Sequence, residues 1–290
     1  MSDSIRPSVP PSARADKPKI SFLAAAGWTI GATLVQQVAV SATEAARPGA
    51  ISDLVSQTAC RLLTYSMVAF VMLRIYAPEG SLRSMFALRR VTLATLPLAI
   101  LLGAGLAPAL ATMDTFVARR FPLGSDELEI VAKLTDTRTI AQRITLAVST
   151  VAAFPIVEEL FFRGLVFGGL RRATTADGVR TGTAERVIVA TSVFFAASSG
   201  DPRSMPLLLT LGLVLGWLRA LSGSVWPGLV AHAAFFAVPV VPALRGMPSD
   251  DVYPRVWIVV GLVLSAAAAI AAHMIVRRDP LAEAARTEDA

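Results

Sequence analysis

The chain has little of what a soluble protein uses to stay dissolved. Only 17% of its 290 residues are charged while 54% are hydrophobic, a balance that excludes both an ordinary soluble domain and a disordered chain. It has a single cysteine, Cys60, so no disulfide can close within it and packing must hold the fold; Cys60 is expected as a small buried apolar residue. It has two histidines, His232 and His273, which leaves few groups for imidazole chemistry or metal ligation. There is no internal repeat, and the one compositionally simple tract is the alanine run of the last apolar segment.

Long apolar runs are abundant. A bilayer core takes about 20 apolar residues per helix, and eight segments qualify or nearly so: 22–42, 57–76, 91–113, 140–168, 187–199, 204–220, 224–243 and 255–276. Arg61 interrupts the second, and the fifth is short for a span. The expected fold is therefore all-α, a polytopic membrane protein of about eight transmembrane helices. Residues 1–20, with Pro7, Pro10, Pro11 and Pro18 among small and charged residues, read as a disordered tail, and the first apolar run is too long for a cleaved signal peptide. Helices then fill 21–120. An amphipathic stretch within 121–139, carrying Asp126, Glu127, Leu128, Ile130, Val131 and Leu134, is expected to lie on the outer surface. A core unit over 140–245, a last helix within 246–276 and a tail from 277 to 290 complete the order.

The net charge of +6 does not imply nucleic acid, because the basic residues sort by side. Arg6, Arg14, Lys17, Lys19, Arg74, Arg83, Arg89, Arg90, Arg171, Arg172, Arg180, Arg186, Arg219, Arg277 and Arg278 share one face; fewer lie on the other. By the positive-inside bias both termini are cytoplasmic and the chain sits in the cell membrane. Trp226 and Trp257 fall near segment ends, where interfacial aromatics belong.

Against this background, Phe154-Pro155-Ile156-Val157-Glu158-Glu159-Leu160-Phe161-Phe162-Arg163 places three ionisable residues inside an apolar segment. An ionised residue near a helix centre costs about 2.5–3.5 kcal/mol against lipid, so these must face protein or water. Glu159 and Arg163 are four apart with the acid first, the favourable order for an ion pair. Glu158 is turned about 100° away and is left without that partner; a carboxylate unpartnered in a low-dielectric pocket suits a general base. The bland alternative is a polar cluster that locks the helix in place. At 1.5 Å per residue, Glu158 lies about 15 Å and His232 about 12 Å from the cytoplasmic ends of their segments, a matched depth. Between them, Ser199-Gly200-Asp201-Pro202 ends a helix too short to span, and Gly212 and Gly216 form a small-xxx-small pair for close helix packing.

The ordered series of Glu158-Glu159-Leu160-Phe161-Phe162-Arg163, Phe195 with its serine-containing turn, Gly212-Leu213-Val214-Leu215-Gly216, and Ser222-Gly223-Ser224-Val225-Trp226-Pro227 leading into His232 resembles the CPBP family of intramembrane proteases. This family joins type II CAAX prenyl proteases with bacterial proteins linked to bacteriocin processing and self-immunity. The resemblance covers roughly 140–245 and implies a CPBP-type core in which Glu158 activates the attacking water, Glu159 and Arg163 form a supporting pair, and His232 is a retained site histidine. On the account in which the family's histidines bind metal, Glu158 and His232 would be zinc ligands.

Two positions depart from the pattern. The family's middle motif is Phe-x-x-x-His; counted from Phe195, the histidine position holds Ser199, and counted from Phe194 it holds Ser198. Four residues after His232, where an asparagine or similar donor is expected, stands Phe236. Catalytic zinc normally takes three protein ligands, so Glu158 and His232 fall short unless Asp201 or another group joins them; His273 lies too shallow to substitute. Loss of one oxyanion donor costs about 10² to 10³ in rate. Three readings follow: an endopeptidase acting on a membrane-associated or prenylated peptide or protein; a catalytically impaired relative that binds such peptides as a scaffold or immunity factor; and, remotely, a proton-coupled transporter using Glu158. The two departures favour the second.

Overall fold

The computed structural model describes residues 20–78, 80–176, 184–245, 253–279 and 283. Residues 1–19 of the expected N-terminal tail, Arg180, and residues 280–282 and 284–290 of the C-terminal tail lie outside the described residues. Among the described residues every regular element is helical, and the fold is that of an all-helical polytopic membrane protein.

Seven helices are long and apolar enough to cross a membrane, one fewer than expected. They are α1 (Phe22–Ala46), α2 (Leu54–Tyr76), α4 (Thr95–Arg120), α6 (Ile140–Arg171), α8 (Met205–Ser222), α9 (Trp226–Leu244) and α10 (Arg255–Arg277). The shorter α3 (Leu82–Met85), α5 (Ser125–Leu134) and α7 (Ala184–Ala197) complete the set. α7 is the apolar run read at 187–199; its 14 residues are too few to cross a bilayer core. Local chemistry fixes several starts. Ser21 accepts from Ala24 N (3.1 Å) at the start of α1, and Asp53 accepts from Val55 N and Ser56 N at the start of α2. The Arg61 interruption does not break α2, which runs unbroken for 23 residues.

α4 is the centre of the assembly, packing most extensively against α10 and α9. Glycines permit this approach. A Cβ on Gly103 would stand 2.0 Å from the Ala231 carbonyl oxygen of α9, and one on Gly261 of α10 would stand 2.3 Å from the Gly105 carbonyl oxygen. The pair Gly212 and Gly216 does what its spacing suggests: added Cβ atoms would meet Ser192 Cβ at 3.0 Å and Ile188 Cγ2 at 3.1 Å, so α8 lies tight against α7. The opposite faces remain apolar and exposed, as on α10 at Val256, Val259, Val263 and Ile270, which suits contact with lipid chains. Trp226 and Trp257 stand in the first turns of α9 and α10, both exposed.

The amphipathic stretch forms α5, with Leu128 and Val131 exposed on it. Arg203, in the turn before α8, clamps α5 through two hydrogen bonds to the Glu127 carboxylate (3.1 and 3.2 Å), and the same carboxylate accepts from Gly124 N (3.0 Å) to cap the helix. The Arg203 hydrogen bond, then the Gly124 N–H, hold the Glu127 carboxyl below its ordinary value. A depressed folded-state value stabilises docking above the ordinary carboxylate range, and that stabilisation is lost as pH falls through the depressed value. Amide exchange across 125–134 should therefore quicken on acidification, and Arg203→Gln should remove that acid-dependent step; an unchanged profile in the variant would assign it elsewhere.

Candidate functional site

α6 carries the polar motif and is not a regular helix. Its turns widen to π-helix over Val148–Ala153 and again over Glu159–Val166, flanking the α-helical turn Phe154–Glu158. Pro155 supplies a reason for the first widening: it lacks an N–H, and its ring would clash with the carbonyl four residues back in a regular helix. The second spans Glu159 and Arg163 themselves, and π segments recur at functional sites.

The motif side chains point inward. Glu159, Arg163 and His232 are fully buried and Glu158 nearly so. Arg163 Nη1 lies 2.9 Å from Glu159 Oε1, the ion pair expected from the spacing. Arg163 Nη2 donates to the Gly212 carbonyl (3.2 Å), and its guanidinium sits 4.4 Å over the Phe195 ring. Gly228, one turn before His232, leaves room for the acid: a Cβ there would stand 2.9 Å from Glu159 Oε2.

His232 bridges the two glutamates, as its matched depth anticipated. Its Nδ1 lies 3.1 Å from Glu159 Oε1 and its Nε2 lies 3.7 Å from Glu158 Oε2. An ionised Glu159 can only accept, so the tautomer that fits this contact carries its proton on Nδ1, with Nε2 facing Glu158. The imidazole is boxed in by Phe195, edge-on at 5.7 Å, and Phe236, tilted at 5.3 Å. Phe236 thus fills the place beside the histidine where a donor is expected with an apolar ring.

Glu158 is not the unpartnered carboxylate that its position on the helix suggested. Arg61 reaches across from α2 and places Nη2 2.7 Å from Glu158 Oε1, with its guanidinium 4.8 Å over the Phe154 ring. The residue that looked like a defect in the second apolar segment is the missing partner. The cluster then runs Arg61, Glu158, His232, Glu159, Arg163, with a guanidinium against each carboxylate and the imidazole between them. Tyr65, one turn along α2 from Arg61, is fully buried, and its hydroxyl lies beside Arg61 and Ser198 without an aligned hydrogen bond to either. Arg219, sorted by sequence with the surface charges of one face, instead turns inward; its Nε donates to the Arg163 carbonyl (3.1 Å) and it lies over Phe167.

The serine turn resolves the two registers. Ser199 belongs to the turn itself, donating to the carbonyls of Ala196 (2.9 Å) and Asp201 (3.2 Å). Ser198 is the buried one, donating to the Phe195 carbonyl (2.8 Å) next to the Tyr65 phenol. The position that looks toward the site is therefore the one counted from Phe194. Asp201 is engaged by Arg203 Nε (2.9 Å) and is not at the site. His273, half-buried, stands instead with Arg277 and Glu185 around a separate cavity.

For zinc, the donors available are Glu158 Oε2 and His232 Nε2. Glu159 lies against the other ring nitrogen, Nδ1, and is paired with Arg163, and among the described residues no cluster of three such groups is arranged to hold a metal ion. Arg61, at 2.7 Å from the other oxygen of Glu158, places a positive charge where a dication would need the opposite. The residues present do not fit a tightly held zinc ion.

Residues 140–238, from the start of α6 into α9, match the family model described as type II CAAX prenyl endopeptidase Rce1-like. Over those residues the chain is similar to that family, and the matched segment contains every residue of the cluster except Arg61 and Tyr65, which α2 contributes from outside it. No curated protein and no solved structure matches the chain.

Proposed function

We propose that this protein is a CAAX-protease-type intramembrane protein whose hydrolytic chemistry is impaired, and that it acts by binding a membrane-associated or prenylated peptide or protein. The observation that carries this reading is the commitment of Glu158 to Arg61 at 2.7 Å. A general base must present a lone pair to the attacking water, and this charge-assisted contact occupies one oxygen of Glu158. The ring of Phe236 beside His232 adds to this, since the chain contains no asparagine that could supply the lost donor from elsewhere. In this reading both termini are cytoplasmic, the site opens toward that side of the cell membrane, and nucleic acid has no part. The lack of a third donor supports a protein that works without resident zinc, and full-length protein purified without chelators should contain well under one zinc per chain.

A second reading, an active endopeptidase with an altered site, is favoured by the contacts of His232 with both glutamates. One experiment separates the two: cleavage of a panel of membrane and prenylated peptides by wild type, Glu158→Gln and a Ser198→His/Phe236→Asn double variant. The impaired reading expects no turnover by wild type and measurable turnover by the double variant. Wild-type turnover that Glu158→Gln abolishes would sink it and establish the enzyme.

A further inference from the structure

A second cavity lies at the end of the helices where the basic residues concentrate. It measures about 600 Å³ and is formed by α3, the loop after it and the first turns of α4 and α9. Its walls join three arginines, Arg83, Arg89 and Arg90, to apolar side chains that include Leu93, Trp226 and Val230. Leu93 is 78% exposed and Trp226 41% exposed, so the apolar side is open toward the surroundings of the helices.

α3, which carries Arg83, and the loop after it, which carries Arg89 and Arg90, are held in place by their neighbours. Ala87 adopts a left-handed conformation with φ of 51°, which costs an L-residue energy unless neighbours impose it. The neighbours are the residues just before α9: Val225 N donates to the Ala87 carbonyl (3.1 Å), and Ser224 Oγ donates to the carbonyls of Ala87 (3.3 Å) and Arg89 (2.9 Å). Arg83 Nε donates to the Leu88 carbonyl (3.2 Å) and Arg89 Nη1 to the Gly223 carbonyl (3.2 Å), which aims both guanidinium groups. Arg83 and Arg90 are exposed, and among the described residues neither is paired with a carboxylate. Thr92 bonds to Asp279, an acid that is not among the residues lining the cavity.

We infer that this cavity binds the headgroup of an anionic phospholipid, with Arg83 and Arg90 on the phosphate and the apolar wall of Leu93, Trp226 and Val230 against the start of the acyl chains. The chemistry asks for an amphiphile: fixed cationic donors suit a phosphodiester, and an exposed leucine and tryptophan at the same mouth suit the boundary between headgroup and hydrocarbon. A free phosphate would use only the cationic half. The occupant would also brace the site proposed above, because the same loop abuts both of its helices. Phe86 packs against Gly164, where a Cβ would come within 3.0 Å of Phe86 Cα, and Ala87 and Arg89 hold the residues leading into the helix of His232.

The test is lipid retention by the purified full chain, read by native mass spectrometry after exchange into detergent containing phosphatidylglycerol, phosphatidylcholine or inorganic phosphate. Wild type is expected to retain phosphatidylglycerol in preference to phosphatidylcholine, and the Arg83→Gln/Arg90→Gln variant to lose that preference by about 30-fold, the effect of removing two surface arginines. Arg255→Gln, at the opposite end of α10, is expected to retain it. Brominated phosphatidylglycerol should quench tryptophan emission in wild type and less so in Trp226→Phe, a readout that does not depend on the arginines. Equal retention of the two lipids, unchanged retention in the double variant with its melting temperature intact, or displacement by phosphate alone would each overturn the assignment. So would capture of a peptide carboxylate in place of lipid, abolished by the same two substitutions.

Discussion

Arg61→Met is expected to lower the melting temperature of the purified protein by roughly 6–12 °C, and Glu158→Gln added to it should restore most of the loss. The single change leaves a nearly buried carboxylate facing Tyr65 and His232 with no cation beside it. Removing one partner of a buried ion pair costs about 3–5 kcal/mol, because the other charge stays desolvated. Since the Arg61 side chain is 21% exposed, the lower end applies, and about 3 kcal/mol corresponds to that temperature shift for a chain of this size. Neutralising both partners removes the desolvation penalty together with the attraction, which is why the double variant should recover. A single variant as stable as wild type would mean that Arg61 does not hold α2 to α6 and does not engage Glu158 as the 2.7 Å contact implies.

Gly103→Val is expected to abolish the folded protein, and Gly103→Ala to cost about 3 kcal/mol or more, at the upper end of overpacking effects. The contact is with backbone, which cannot rotate away as a side chain can: the added Cβ would stand 2.0 Å from the Ala231 carbonyl oxygen and 2.9 Å from its Cα. α9 would have to move off α4 by more than an ångström, and the next residue on α9 is His232. Gly27→Ala and Gly31→Ala on α1 are the matched controls, because no atom lies within 4 Å of either new Cβ; alanine there should be neutral or stabilise by up to about 1 kcal/mol through helix propensity. Thermal melts of all four proteins check the set. A loss at Gly103→Ala no larger than that at Gly27→Ala would show that the close helix contact is not what the added Cβ disturbs.

The helical architecture was legible because apolar run length reports directly on membrane spans, and the one miscount fell on α7, whose apolar stretch was already short. The Glu159 and Arg163 pair was legible from spacing, and the meeting of His232 with Glu158 from depth. What the spacing could not reveal was anything supplied by another helix. Arg61 carried the same signal as Glu158, an ionisable residue in an apolar run, yet it read as an interruption because spacing within one helix offers it no acid. Arg219 misled for a related reason: it lies three residues from the end of α8, where a charge ordinarily reaches the surface, and only the fold shows it turned onto the Arg163 carbonyl. The choice between Ser198 and Ser199 turned on one residue of register in a helix end, below what a motif with two adjacent phenylalanines can resolve. Tyr65 left no mark, since a tyrosine in an apolar segment is unexceptional.

The pairing of Arg61 with Glu158 also sets a problem of timing during synthesis. α2 leaves the ribosome long before α6, so its arginine meets the bilayer ahead of its acid and carries a penalty of about 2.5–3.5 kcal/mol until that acid arrives. α6 brings three charges, of which Glu159 and Arg163 neutralise one another within the helix, leaving Glu158 as the one whose counter-charge is already waiting. The Arg61–Glu158 contact relieves both penalties at once, so a chain that ends before α6 is expected to insert α2 less efficiently than one that includes it.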